Sequence, residues 1–342
     1  MAPEAKAESL GRQGSKAPVF VLGCPRSGTT VLYHMLLSAG GFAVYRAESN
    51  VLNLLVPRFG NLRSRKNRRE LLDCWLESKM FRVSGLDAVK IERRVIDECR
   101  TGGDFLRITM EEVARSQGVD RWADCTPEHL LHIPEIQAQL PGSYVIHIIR
   151  DGRDVALSYV KQRWSHPLPW DRDEHLAVAG LYWEWIIRRG RKYGRALGSN
   201  YREVHFEELV ARPAETLAEL GKFIGQELDY DRIQRAGIGS VSLPNSSFLD
   251  DSARDNFQPV GRWKSKLLAA ELSNFEALVG DFLRELGYPL SAASPARGSW
   301  RTVRLRNTYF LLFAVKQWLK TKTPLGRLVH TGRLEITNPP GI

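Results

Sequence analysis

An α/β fold with a parallel sheet is predicted by three observations. Short apolar runs that read as buried strands recur at residues 18–22, Ser143–Ile149 and Tyr201–Phe206. Each is followed by a stretch with helical spacing of apolar residues, and strands alternating with helices argue for parallel pairing. The first run also passes through a glycine-bearing turn, Gly23-Cys-Pro-Arg-Ser-Gly-Thr-Thr30, straight into a helix.

The elements follow in chain order. Residues 1–16 are small, charged and aperiodic and read as a disordered lead-in. After the first strand, Thr29 to Ser38 is helical, with Val31, Leu32, Met35 and Leu36 on one face. Phe42–Tyr45 is expected as a second short strand, leading to Glu48, and Ser49 or Asn50 to cap a helix through Val56. Six cations crowd residues 57–69 and read as a solvated face or as a site for a sulfated or acidic acceptor, and residues 70–118 read mostly helical with a break near Gly102-Gly103. Arg121–Asp124 is strand-like, Thr126-Pro-Glu starts a helical turn, and 134–140 continues it. A strand-to-helix turn, Arg150 to Ser158, follows the Ser143–Ile149 strand; a long helix over 173–197 carries Trp183 and Trp185. Helices follow the third strand over 213–225 and 265–286. Residues 291–299 read as a linker and the rest as a basic, aromatic tail, so the chain divides into a lead-in (1–16), one domain (17–290) and an extension (291–342).

The 342 residues are enough for a large core, and 43% hydrophobic with 26% charged residues is a globular composition. A net charge of +10 favours anionic partners, but no nucleic-acid-binding module accompanies it, so no nucleic-acid partner is expected. Cys24, Cys74, Cys99 and Cys125 lack metal-ligand spacing and read as reduced thiols in a cytoplasmic protein. The polar N-terminus has no apolar segment of a signal peptide, and no run reaches the roughly 18 apolar residues of a membrane span. In 309–319, aromatic and aliphatic residues beside Lys316 and Lys320 suit either a helix on a membrane surface or one packed on its own domain.

Three groups fall at carboxyl ends of strands, where open parallel sheets bind ligands. The first is the loop 23–30. Gly23 and Gly28 have the spacing of a phosphate-cradling loop, and Thr30 holds its last position. The usual lysine slot is filled by Thr29, and a cation appears earlier, at Arg26. Such a loop offers amides and a helix dipole to a phosphate but lacks the lysine that reaches a triphosphate's outer groups. The second group, Arg150 with Ser158, either clasps another phosphate or caps the sheet edge beside a surface ion-pair cluster of Asp151, Arg153 and Asp154. The third is Glu48, a general base for a hydroxyl or a surface charge. His129 and His132, three apart, are alternative bases or ordinary structural histidines.

The loop 23–30 together with Ile149-Arg-Asp-Gly-Arg-Asp-Val-Ala-Leu-Ser158 resembles the sulfotransferase superfamily, in the branch with an Arg-Ser-Gly-Thr-Thr loop that includes tyrosylprotein and many bacterial enzymes. Val204–Pro213 and Gly261-Arg-Trp-Lys264 are similar to two further segments of that branch, and the resemblance spans 18–287. It implies a P-loop-like three-layer sandwich, with helices on both faces of the sheet. It also implies 3′-phosphoadenosine 5′-phosphosulfate (PAPS) as donor, a hydroxyl-bearing acceptor and no metal. By resemblance, Gly23, Cys24, Pro25, Arg26, Ser27, Gly28, Thr29 and Thr30 hold the 5′-phosphosulfate. Arg150, Ser158 and Arg262 hold the 3′-phosphate, and Glu48 and Arg26 are catalytic. Cys125 stands where the family often has a lysine, and Phe206 where a tyrosine is common. The competing expectations are an ATP-dependent phosphotransferase, which Thr29 in the lysine slot disfavours, and a non-catalytic nucleotide-binding protein on the same fold.

Overall fold

The computed structural model describes residues 16–236, 258–291 and 300–335. The lead-in (but for Lys16) and the linker (but for Ser291) lie outside these residues.

The sheet is parallel throughout, as predicted. It comprises β1 (Val19–Gly23), β2 (Ala123–Asp124), β3 (Tyr144–Ile149) and β4 (Tyr201–His205), in the order β2-β1-β3-β4. The chain leaves β1 for one neighbour, then crosses to the other. The crevice between the carboxyl ends of β1 and β3 is therefore a topological switch point.

Strand side chains alternate between two apolar layers, which makes the molecule three-layered. Val19 and Val21 of β1, with Ile146 and Ile148 of β3, face the first layer. It is roofed by α1 (Thr29–Ser38). Phe20, Leu22, Val145 and Ile149 face the second, larger layer. That layer receives most of the segment between α1 and β2. A π-helical turn at Val51–Leu55 runs into α2 (Val56–Phe59), then α3 (Arg65–Glu77), α4 (Lys79–Ser84), α5 (Ala88–Glu98) and α6 (Gly102–Ser116). Side-chain caps mark these starts: Ser64, Ser78 and Asp87, and a capping box of Thr101 with Asp104.

After β2 a 3₁₀ turn (Pro127–His132) leads to α7 (Ile133–Gln139). Beyond β3 come α8 (Gly152–Lys161), capped by Asp151, and the long α9 (His175–Gly194). Past β4, α10 (Phe206–Ala211), α11 (Pro213–Ile224) and α12 (Tyr230–Ala236) complete the α1 side. The short α13 (Trp263–Lys266) precedes α14 (Ala269–Glu285), which packs on α9, as does α15 (Trp300–Lys322).

Three expectations need correction. Phe42–Tyr45 forms no strand. Only Phe42 bridges to Arg121, while the backbone of Val44 bonds in both directions to the side chain of Gln117, at 2.7 and 3.0 Å. Asn50 does start the next helix, with φ 51°, but its side chain gives no cap and instead donates to the Glu48 carbonyl. The cation run 57–69 is not a uniform solvated face. Arg68 is buried and donates to the carbonyls of Leu62 and Arg63, and Arg69 pairs with Glu92.

Candidate active site

Gly23 ends β1 so close to β3 that a Cβ would stand 2.6 Å from the Ile148 carbonyl oxygen. At the other end of the loop Gly28 has φ 97°, and a Cβ there would meet the Phe206 ring at 2.3 Å. Only glycine fits either place. Between them Arg26 also takes a left-handed conformation, φ 76°. A non-glycine residue rarely does so, and the cost is tolerated where surrounding contacts enforce it. The helix that follows begins without a side-chain cap, so its first amides are available to an anion along with its dipole. The hydroxyl of Ser27 is fully buried in this loop with no hydrogen-bond partner. Cys24, Pro25, Thr29 and Thr30 complete the turn, with Thr29 opening α1.

The two predicted cation sites are one site. Arg26 Nε donates to the Ser158 hydroxyl at 2.8 Å, across 132 residues of sequence. Arg150 Nη1 donates to the Arg26 carbonyl at 3.1 Å, and its Nη2 to the Pro259 carbonyl. Arg150 lies over the Phe206 ring, 4.6 Å from its centroid, and its Nε is buried without a partner. Phe206 thus supplies an aromatic floor beneath the guanidinium and a wall against Gly28. The pKa of Arg26 is lowered to about 10, by burial first and then by Arg150. Burial lowers Arg150 as well, with Asp154 opposing it; Arg262 adds to the repulsion on both. Three guanidiniums held within electrostatic reach of one another at a sheet switch point make a site that favours a polyanion.

Asp151, Arg153 and Asp154 are not a surface cluster. Arg153 is buried, holds Asp151 through a fork of bonds at 2.8–3.2 Å, and reaches Glu276 of α14 at 2.7 Å. Its guanidinium sits 3.8 Å from the Trp263 ring centroid. Asp154 accepts from the amides of Gly261, at 2.8 Å, and Trp263, at 3.0 Å, on its two different oxygens. It therefore fastens the segment carrying Arg262 onto α8. Reading along the chain misses this role, because the loop it grips arrives more than a hundred residues later.

Glu48 is half-buried and contributes to the electrostatics at Arg26. Its place comes from the next two residues. The Ser49 hydroxyl and the Asn50 amide each meet the Thr126 hydroxyl at 3.2 Å. The Thr126 hydroxyl and amide in turn bond to Asp124, both at 3.1 Å. The histidines are occupied elsewhere. The Leu52 amide donates to His129 Nε2 at 3.1 Å, so the ring proton is on Nδ1, facing Asp124 at 2.9 Å. His132 is buried and its pKa lowered to about 3, chiefly by burial, so it stays neutral. Cys125 is fully buried in the apolar layer under α1.

The sequence profile described as the sulfotransferase family matches residues 18–230. The nodulation protein NoeE of Sinorhizobium fredii (strain NBRC 101917 / NGR234) is 25% identical over 338 residues, covering 88% of this chain and 74% of that protein. Among solved structures, the sulfotransferase domain from the Synechococcus PCC 7002 olefin synthase has a TM-score of 0.53 at 18% identity, covering 82% of this chain and 98% of that domain. The sulfotransferase domain from the curacin biosynthetic pathway has a TM-score of 0.51 at 17% identity, covering 81% and 100%. At such identity the two domains share the fold with this chain.

Proposed function

The chain belongs to the sulfotransferase family, and we propose that it moves a sulfuryl group from PAPS to a hydroxyl-bearing acceptor. The observation that carries this reading is the bond between Arg26 and Ser158, which merges two motifs into a single anion site. A donor with phosphate at both the 5′ and 3′ positions needs two adjoining cation sites; ATP needs a lysine and a metal along one triphosphate instead. The unpartnered Ser27 hydroxyl and Arg150 Nε, with the uncapped start of α1, are polar groups suited to phosphate oxygens.

In this reading the loop 23–30 holds the 5′ end, and Arg150, Ser158 and Arg262 hold the 3′-phosphate. When bound, PAPS supplies a sulfuryl group on a good phosphate leaving group. Glu48 orients the acceptor hydroxyl and takes its proton as the new oxygen–sulfur bond forms. Arg26 and the loop amides offset the charge that gathers on the departing phosphate oxygen. With Cys125 buried in the core, Arg26 carries that electrostatic task among the motif positions.

The test is ligand-induced thermal shift followed by turnover. Adenosine 3′,5′-bisphosphate should raise the melting temperature where magnesium-ATP does not, and Arg26→Ala should lose that response together with sulfate transfer. A shift from magnesium-ATP alone would overturn the reading in favour of a phosphotransferase.

A further inference from the structure

The proposed reaction leaves the outer face of α15 unused. Its inner face is docked: Tyr309 is fully buried, donates to Asp171 at 3.0 Å and accepts from the Leu168 amide at 2.8 Å. Phe313 meets the Tyr182 and Trp185 rings, and Arg306 pairs with Glu184. On the opposite side Trp300, Val303, Leu311, Val315 and Trp318 recur at helical spacing, each 42–68% exposed. At 1.5 Å per residue that stripe is about 27 Å long, interrupted between Val303 and Leu311 by the exposed Arg304 and Asn307. It continues past the helix to Leu328, which is 77% exposed. An apolar face of that length is unusual on a surface exposed only to water.

Its charge identifies the occupant. From Trp300 to Leu334 the sequence has eight Lys or Arg residues and no Asp or Glu. Arg306 and Lys320 turn inward to Glu184 and Glu128, and the exposed Lys322 pairs with Glu135. Arg301 and Arg304 are exposed on the stripe's side of the helix and meet no carboxylate among the described residues. A second copy of this face would set cations against cations, with no acid in the segment to relieve them. An anionic lipid surface offers both an apolar boundary and phosphates, and tryptophans are favoured at that boundary. Among the described residues no helix is long and apolar enough to cross a membrane, so contact from one side is the geometry left.

We propose that α15 lies flat on an anionic lipid surface, its stripe at the headgroup–acyl boundary and Arg301 and Arg304 on lipid phosphates. Cosedimentation of the full chain with vesicles tests this. Binding is expected to mixed phosphatidylglycerol and phosphatidylcholine at low salt, to fall with added salt, and to be weak with phosphatidylcholine alone. Leu311→Ser with Trp318→Ser, and separately Arg301→Glu with Arg304→Glu, should each weaken binding at least about tenfold while the melting temperature holds. If either pair unfolds the chain, Arg301→Gln with Arg304→Gln and the salt titration of the wild type decide the matter. A wild type that stays in the supernatant with both vesicles overturns the proposal. So does unchanged binding by folded variants, or a wild-type dimer that Leu311→Ser with Trp318→Ser dissolves.

Discussion

Glu48 shows how a residue with little distinction of its own is placed by its neighbours. Its carboxylate lies in the field of Arg26, while Ser49 and Asn50 are tied to Thr126 and through it to Asp124. If it is the base, Glu48→Gln keeps the shape and the backbone ties but cannot take a proton. Turnover should then fall by at least about a hundredfold, with little change in affinity for adenosine 3′,5′-bisphosphate. Steady-state kinetics beside a binding titration separates the two effects, and wild-type turnover would remove Glu48 from the mechanism. His129 gives no ready substitute, since both ring nitrogens are engaged in holding the 124–129 turn against residue 52.

At the scale of elements, the weak point of the site is the segment around Arg262, which Asp154 clamps with one oxygen on each of two amides. An asparagine offers a single acceptor, and its NH₂ would face the second amide. Asp154→Asn should therefore loosen this segment and weaken donor binding about tenfold, since a lost hydrogen bond to a charged group is worth about 1.5–3 kcal/mol. The maximal rate at saturating donor should be nearly kept, because Asp154 positions Arg262. Equal losses in maximal rate and affinity would mean it acts more directly. This element also marks how far the sequence can be read. The strand, loop and helix over 18–38 are legible because strand, glycine spacing and helix agree locally. The Arg150–Ser158 turn is legible as a motif. The burial of Asp151, Arg153 and Asp154 is not, because α14 and the 258–263 segment create it from a distance. Phe42–Tyr45 misleads for a related reason. Its residues are apolar enough for a strand, but the Gln117 side chain takes the backbone bonds of Val44 that a neighbouring strand would need.

For the whole molecule, the sheet's burial between two helical layers couples stability to acid. His147 sits inside β3, fully buried. The Tyr201 hydroxyl donates to Glu203, so His147 Nδ1–H donates to the tyrosine oxygen at 2.6 Å, and Nε2 faces the core without a partner. Burial lowers its pKa to about 3, that of His132 to about 3 and that of His34 to about 4. The unfolded chain takes these protons near pH 6.5, whereas the folded chain refuses them. The stability they contribute is thus complete above about pH 6.5 and is lost as pH falls toward the folded values, at up to about 1.4 kcal/mol per pH unit for each histidine. Asp154 and Glu207, raised chiefly by burial, pull the other way at lower pH because the folded chain keeps their protons longer. The melting temperature should accordingly decline between pH 6.5 and about 4.5. His147→Phe should be less stable at neutral pH, having lost the bond to Tyr201, yet decline less steeply by about one histidine's share. Parallel curves for the two proteins would show that His147 is not what the acid reaches, and would move the sensitivity to His132 under α15 or to His34 on α1.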